Sequence, residues 1–235
     1  MKKALTIVLS VLMLVFCVSC SDKEANSVEK SDALIDYITV YSSDGQLEGY
    51  LEYEYDNDGK LITNGMQDNN HAWIWFYVNE YDQDGHKTKM IQYDERGKEL
   101  VTFSYETDEK GNVIKEAISY SDDSLMEQSS TFEYDGDKLY KVTHQDNSYY
   151  TYEYDKNGNQ VKEFYYTADG ELVRTYQSKY DKNGNLIKTS FIDGDGTTGS
   201  YSTYEYNNKG ETTFSYDYDE NGSLINKMEY HYLEK

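Results

Sequence analysis

Two similar twelve-residue stretches occur in this chain, YDKNGNQVKEFY from Tyr154 and YDKNGNLIKTSF from Tyr180. The two copies begin 26 residues apart and share their first six residues. The same spacing, with small slips in length, continues in both directions along most of the chain. A period of about 20 to 50 residues indicates a repeat architecture in which each unit stacks on its neighbours.

Each unit carries two turn signals, because glycine recurs at unit position 5 and again at position 17. In the first turn, Asp-x-x-Gly, the aspartate can accept a backbone hydrogen bond, and glycine supplies the positive φ of a type I turn with a bulge. The pattern therefore predicts one hairpin per unit, with a turn at each edge of a sheet. The glycines at position 5 are Gly59, Gly85, Gly111, Gly158, Gly184 and Gly210, and those at position 17 include Gly45, Gly97, Gly170, Gly196 and Gly222.

The residues between the turns are typical of strands. In the stretches 152–154 and 204–206, both Tyr-Glu-Tyr, the tyrosines share one face and the glutamate takes the other. The chain has no Pro and 27 Tyr, and an aromatic content of 15% argues against disorder. Glycine and Asn/Asp clusters interrupt any helical stripe. We predict an all-β fold: an antiparallel meander of about seven hairpin repeats, twisted or curled into a spiral or an open, barrel-like sheet.

The first residues have the plan of an export signal. Lys2 and Lys3 precede an uncharged, mostly apolar run over residues 4–18, which is shorter than the roughly 20 residues of a membrane-spanning helix. The run ends in CVSC, which resembles the lipobox of bacterial lipoproteins and implies acylation of Cys20. An ordinary cleaved signal peptide is the alternative. We divide the chain into a signal peptide (1–19), a lipidated cysteine with a polar tether (20–34) and a repeat domain (35–235).

The charge balance limits the partners. The formal net charge is −22, and loss of Lys2 and Lys3 with the signal peptide would leave 20 basic and 44 acidic residues. Such a chain repels nucleic acid and anionic lipid headgroups, so that attachment to the lipid bilayer must come from the acyl anchor. The acidic residues after Cys20 resemble the surface-export signals of lipoproteins in some Gram-negative groups. We expect an exported protein, lipid-anchored in the cell envelope and exposed on the surface.

The repeated motif Tyr-Asp-x-x-Gly-x-Leu is similar to the YD repeat of the bacterial RHS family. The phrases YDQDGHKTKMIQYDERG and YDENGSLINK carry this resemblance, which covers about residues 41–231. The chain lacks the Gly-Arg that usually follows the turn in that family, and it lacks a toxin domain at its C-terminus. The resemblance implies a short, free-standing YD-repeat lipoprotein whose repeats act as a scaffold.

Few residues point to catalysis or to a metal site. The four histidines are scattered without a metal-ligand spacing, and no Gly-x-Ser-x-Gly elbow or P-loop is present. The segment 54–59 matches half of an EF-hand loop, but Gly65 stands where the loop needs a bidentate glutamate. We predict no enzymatic activity, no cofactor and no metal site, with weak calcium binding by the acidic turns as an alternative.

The stretch HAWIWFYV over residues 71–78 holds both tryptophans of the chain. As a strand it would place Trp73, Trp75 and Tyr77 on one face. This face could be buried, or it could form an aromatic platform for a sugar ring or a partner's side chain. The leading hypothesis is a non-catalytic module that contacts an envelope protein through strand edges and Tyr-rich faces. The alternative is a glycan- or cell-wall-binding lipoprotein with these three residues as the stacking residues.

Overall fold

The computed structural model describes residues 33–122 and 124–234, which form sixteen antiparallel strands and no helix. The strands are β1 (Ile35–Ser42), β2 (Leu47–Tyr55), β3 (Leu61–Gln67), β4 (Trp73–Tyr81), β5 (Lys87–Asp94), β6 (Glu99–Thr107), β7 (Val113–Tyr120), β8 (Gln128–Asp135), β9 (Lys138–His144), β10 (Tyr149–Tyr154), β11 (Gln160–Tyr166), β12 (Leu172–Tyr180), β13 (Leu186–Asp193), β14 (Thr198–Tyr206), β15 (Thr212–Tyr218) and β16 (Leu224–Tyr232). Every strand pairs with the next in sequence, as a meander requires.

The sheet closes into a barrel because β1 also pairs with β16. In this closing pair Val40 lies opposite Met228, and the Leu233 amide donates to the Leu34 carbonyl at 2.9 Å. The prediction of an all-β hairpin meander that curls into a barrel-like sheet is confirmed. The expectation of contact through strand edges was wrong, because closure pairs both outer strands and leaves no edge among the described strands.

The Asp-x-x-Gly turns have the predicted geometry. The Asp155 carboxylate accepts the amides of Asn157 and Asn159 through Oδ1, at 2.8 and 2.9 Å. The Gly158 amide donates to the Asp155 carbonyl at 3.1 Å, and Gly158 has a φ of 88°. Equivalent bonds form around Asp56, Asp82, Asp94, Asp108 and Asp181. The aspartate is therefore needed to satisfy the turn's own amides.

A tyrosine at the end of a strand, near the terminal end of the barrel, links that strand to its neighbour. The Tyr206 hydroxyl, at the end of β14, donates to the Leu186 carbonyl at the start of β13, at 2.8 Å. Each such bond joins the last residues of one strand to the first residues of the strand before it. The bond therefore lies at the open end of the hairpin, opposite the turn that connects the two strands, and stabilises that end. The same bond is made by Tyr81, Tyr134, Tyr154, Tyr180 and Tyr232.

The barrel has two different rims. The terminal rim contains both ends of the described chain and the turns at 56–60, 82–86, 108–112, 135–138, 155–159, 181–185 and 207–211. The distal rim contains the turns at 43–46, 68–72, 94–98, 121–127, 145–148, 167–171, 193–197 and 219–223. Among the described residues of these turns, the distal rim has 13 acidic and two basic residues, whereas the terminal rim has 11 and six. The distal rim is therefore the more negative mouth.

The register separates an inner wall from an outer wall, since directly opposed residues share a face. The best-buried side chains, Ile38, Val40, Leu51, Met66 and Met228, form one cluster on the inner wall of β16, β1, β2 and β3. We call them the core cluster.

The barrel is hollow. Only Val40, 1% exposed, is a large side chain that is fully buried, so most inward rings keep some access to solvent. Barrels of about 16 strands are wide enough to leave an aqueous interior.

Candidate binding surfaces of the barrel

The three predicted stacking residues do not share one face. Trp75 and Tyr77 point to the inner wall, where their rings meet edge to face at a centroid distance of 5.5 Å. Trp73 lies on the outer side, with its ring 5.4 Å from that of Phe76. The cause is a β-bulge between β3 and β4, in which Ile74 is the extra residue and is 43% exposed.

The inward pair is only partly available to a ligand. Trp75 packs against the core cluster and stays half-buried, whereas Tyr77 is 4% exposed, and burial raises the pKa of its hydroxyl. A ring that stacks on Trp75 would have to enter the lumen. Stacking by Trp73, Trp75 and Tyr77 stays a prediction. Lipidation of Cys20 also stays a prediction, since Cys20 lies outside the described residues.

Three inward carboxylates are the most unusual feature of the lumen. Glu116 on β7, Glu163 on β11 and Asp217 on β15, hereafter the lumen carboxylates, recur every fourth strand around the wall. None of them belongs to an ion pair among those formed by the described residues. Burial raises the pKa of all three carboxyls, that of Glu163 to about 7. Glu116 is buried and the other two are partly buried, and a carboxylate that leaves water without a cationic partner is costly.

Glu163 lies between two tyrosines of the inner wall. Tyr152 on β10 and Tyr176 on β12 are directly opposite it on either side. Burial is what raises the pKa of Glu163, and no basic side chain opposes this effect. The ionised form of Glu163 also raises the pKa of Tyr152, after burial itself. The site is therefore a carboxyl flanked by aromatic rings.

Glu116 has a related environment. Tyr105 lies opposite it on β6 and Ser130 on β8. The Ser130 hydroxyl is engaged by His144 Nδ1 at 2.8 Å and does not pair with Glu116. Burial lowers the pKa of His144, which favours its neutral form. Glu116, 8% exposed, is thus left without a cation although a histidine lies two strands away.

Asp217 is bordered by polar side chains that do not satisfy it completely. Ser202 on β14 donates its hydroxyl to Asp217 Oδ1, and Asn226 lies opposite on β16. The hydrogen bond from Ser202 and the polar side chain of Asn226 oppose the rise in the pKa of Asp217 that burial causes. Asp217 Oδ2 and Asn226 Oδ1 are buried and have no hydrogen-bond partner. Two acceptor oxygens in the same wall therefore lack a donor.

The outer wall carries aromatic rings covered by lysines over β13–β16 and β1. The rings of Tyr201 and Tyr218 stack at a centroid distance of 4.8 Å, and Lys188 Nζ lies 3.9 Å from the Tyr201 ring centroid. Lys227 Nζ lies 4.0 Å from the Phe214 ring centroid. We call these five residues the aromatic–lysine face. On β6–β8, by contrast, the outward residues are small or charged: Thr102, Ser104, Glu106, Lys115, Ala117, Ser119, Ser129, Thr131 and Glu133.

The histidines act separately from one another. His231 stacks on Tyr37 at 4.2 Å between ring centroids, His71 stacks on Tyr50 at 4.6 Å, and His86 lies 3.5 Å from Asp82. Over 33–122 and 124–234, no group of three His, Cys, Asp or Glu side chains could hold a metal ion. No helix in that same part of the chain is long and apolar enough to cross a membrane.

Sequence reasoning missed the lumen carboxylates. Glu116 and Glu163 stand at unit position 10, where other units have residues such as Asn64, Met90 and Thr189. A glutamate at a unit position that holds uncharged residues in other units was the available signal. It was hidden because glutamate is also frequent on the outer wall, as in each Tyr-Glu-Tyr stretch.

Together the meander, the closed sheet and the lined lumen define a hollow, all-β repeat barrel. Residues 106–235 match a family model whose description is "Uncharacterised protein", and the chain belongs to that family. No curated protein matches the sequence.

Two solved structures share the fold. A porin-like protein from Bacteroides uniformis is 14% identical, with a TM-score of 0.55, and the match covers 86% of this chain and 99% of that one. A porin-like protein from Bacteroides vulgatus is 12% identical, with a TM-score of 0.51 and the same two coverages. The TcdB2-TccC3-Cdc42 structure matches with 14% identity and a TM-score of 0.36 over 77% of this chain and 12% of its own.

Proposed function

We propose that this protein is a non-catalytic lipoprotein of the bacterial cell envelope, acylated at Cys20, whose barrel is a structural and protein-interaction module. The observation that carries the proposal is the aromatic–lysine face. Aromatic rings are enriched at protein interfaces, and lysines that cover rings can move to accept a partner. The YD-repeat resemblance to RHS proteins, in which repeats act as a scaffold, agrees with this role.

The outer wall favours contact with water or protein over contact with lipid. A barrel that spans a membrane has an apolar band about 25 Å tall on its outside. Here charged side chains occupy outward-facing positions within the strands, for example Glu52, Lys115, Lys162 and Lys227. Attachment to the bilayer would therefore come from the acyl anchor on Cys20. The tether that follows Cys20 leads to β1, which begins at the terminal rim.

Anchorage is tested by metabolic labelling with an alkyne fatty acid. We expect label on the wild-type chain and on Cys17→Ala, and none on Cys20→Ala, with the last variant released from the membrane fraction. Equal labelling of Cys20→Ala would overturn the lipoprotein assignment.

The interaction role is tested by a photo-crosslinking amino acid placed at single positions in cells of the native host. Positions Tyr201 and Tyr218 should yield a discrete adduct. Positions Thr102 and Thr131, on the outer wall of β6 and β8, are the matched controls and should yield none. Adducts at all four positions, or at the two threonines alone, would show that the aromatic–lysine face is not the interface.

A second candidate function is glycan binding, and the half-buried Trp75 ring on the inner wall favours it. Aromatic rings that face an aqueous cavity can stack on a sugar ring. A glycan array probed with the wild type and with Trp75→Ala tests this candidate. We expect a specific signal that the substitution abolishes. A signal of equal strength in both proteins would exclude the inward platform.

A further inference from the structure

We propose that the partner of the aromatic–lysine face is an acidic polypeptide segment, whose carboxylates bind between Lys179 and Lys188 and whose side chains pack on the rings of Tyr201 and Tyr218. This inference rests on the interaction role proposed above and adds the chemistry of the partner to it. Two observations carry it: a pair of opposed lysines that breaks the pattern of the repeat, and the stacked tyrosines beside that pair.

Four hairpins that turn at the terminal rim place a glutamate opposite a lysine on the outer wall. The pairs are Glu80–Lys89, Glu106–Lys115, Glu133–Lys141 and Glu153–Lys162. The first, second and fourth are ion pairs, with N–O distances of 3.7, 2.8 and 3.2 Å. The hairpin of β12 and β13 has a lysine in place of the glutamate, so that Lys179 lies directly opposite Lys188. The Cβ atoms of such a pair are about 5 Å apart, and like charges in this arrangement repel each other.

No acidic side chain of the described chain neutralises the lysine pair. Among the ion pairs that the described residues form, none includes Lys179 or Lys188. Glu153 on β10 is already paired with the lysine opposite it, and Glu205 on β14 forms no ion pair with either lysine. The Asp181 carboxylate, in the turn between the two strands, accepts the turn's own amides. An anionic group that binds between the two ammonium groups therefore relieves their repulsion and makes charge-assisted hydrogen bonds.

The tyrosines beside the lysine pair supply the apolar part of the surface. Lys188 Nζ lies 3.9 Å from the Tyr201 ring centroid, and the rings of Tyr201 and Tyr218 stack at 4.8 Å between centroids. Lys179 is exposed and the other three side chains are partly buried, so each of them keeps access to solvent. From β12 to β15 the surface is three strand spacings wide, or about 14 Å. About four or five residues of extended polypeptide have this length.

The charge of the whole protein favours a short acidic segment over an extended polyanion. The formal net charge is −22, and the turns of the terminal rim hold 11 acidic and six basic described residues. Attraction by the lysine pair reaches only about 8 Å at physiological salt, because of screening. A segment with a few carboxylates fits within that range, whereas an anionic membrane or a nucleic acid also meets the acidic rims and is repelled. Aromatic rings are enriched at protein interfaces, which favours a polypeptide over an acidic glycan.

The first experiment places a photo-crosslinking amino acid at Tyr218, in cells of the native host, and combines it with Lys179→Glu. This substitution recreates the glutamate–lysine pair of the other hairpins, so we expect a stable barrel. The yield of the adduct should fall by about tenfold, the usual effect of losing one charge-assisted hydrogen bond. The matched control is Lys115→Glu on β7, which makes the same change in charge on the outer wall, away from the aromatic–lysine face. It should leave the yield within about twofold because distant exposed charges are screened.

The second experiment measures the chemistry of the partner directly, by fluorescence anisotropy with the purified full chain at about 0.15 M salt. The probe is a fluorescein-labelled peptide of four glutamates followed by two phenylalanines, and the control peptide has glutamine in place of glutamate. We expect the glutamate peptide to bind about tenfold more tightly than the glutamine peptide. Lys179→Glu should abolish this difference, and Lys115→Glu should preserve it. Urea unfolding followed by circular dichroism verifies that both variants are folded.

The outcomes separate the acidic partner from the interaction role on which it rests. An adduct of unchanged yield in Lys179→Glu would leave the interaction role standing and overturn the acidic partner. Absence of any adduct from Tyr218 in the otherwise wild-type chain would overturn the interaction role and the inference with it. Equal affinity for the two peptides would also overturn the inference. Binding of tetragalacturonate in place of the glutamate peptide, lost in Lys179→Glu, would assign the lysine pair to an acidic glycan instead.

Discussion

The inner wall has two sectors that differ in how they are held together. The core cluster on β16, β1, β2 and β3 is apolar and contains the best-buried side chains. The sectors around Glu116 and Glu163 are built from tyrosines, serines and carboxyls, and they keep more contact with water. The core cluster lies at the pairing of β1 with β16, the only strand pair that joins distant parts of the described chain.

This difference reflects the entropy of closure. Every other strand pair is a local hairpin, whose turn already brings its strands together. The closing pair must overcome the loop entropy of nearly the whole chain, and it does so where apolar burial is greatest. The tyrosine-lined sectors, which need no such compensation, are free to hold polar groups. Stability is thus concentrated at closure, and the polar groups of the inner wall lie elsewhere.

The largest expected effect comes from the core cluster. Met228→Ala should lower the free energy of unfolding by about 2–5 kcal/mol, because it removes a 5% exposed side chain opposite Val40 at the closing pair. Urea unfolding followed by circular dichroism measures this loss. Ile225→Ala, on the same strand but 45% exposed, is the control and should cost less than about 0.5 kcal/mol. Similar losses in the two variants would refute the special role of the closing pair.

The carboxyl sector should respond in the opposite direction. The pKa of Glu163 is raised to about 7 by burial, so folding favours its protonated form, and its contribution to stability is lost as the pH rises through that value. Glu163→Gln should therefore stabilise the barrel at pH 8 by on the order of 2 kcal/mol, and by much less at pH 4. Unfolding curves at both pH values test this. A stabilisation that does not depend on pH would show that titration of Glu163 is not the cause.

A smaller effect is expected from the tyrosine hydrogen bonds at the strand ends, which occur in both sectors. Tyr206→Phe removes the hydroxyl that donates to the Leu186 carbonyl and should cost about 1 kcal/mol. Thermal and urea unfolding provide the measurement. Tyr140→Phe, at a position that is 53% exposed, serves as the control and should have almost no effect. If the two substitutions cost the same, the strand-end hydrogen bond does not contribute to stability.

The smallest effect is expected on the outer wall. A double-mutant cycle of Lys227→Met and Phe214→Leu should give a coupling of about 0.5–1 kcal/mol, since the ammonium lies 4.0 Å from the ring centroid at a partly exposed site. The cycle is measured by urea unfolding. High salt should reduce the coupling, and a coupling of zero would mean that the lysine only shields the ring.

Much of the fold could be predicted from local sequence. The Asp155 turn and its equivalents follow from Asp-x-x-Gly, since an aspartate side chain and a positive-φ glycine act within five residues. Strand alternation was predictable in regular stretches and failed at Trp73, because the bulge at Ile74 depends on pairing with β3. The candidate sites were less predictable. Glu163 looks like any other strand glutamate until its face is known.

The sequence by itself determined the repeat, the turn chemistry, the all-β meander and the acidic character of the chain. These properties follow from contacts within one or two units, where each residue's neighbours are set by the chain. Only the tertiary structure decided that β1 pairs with β16, that Trp75 and Tyr77 point inward, and that three carboxyls share one lumen. Closure depends on the twist summed over sixteen strands, and inside and outside have no meaning before the sheet has closed.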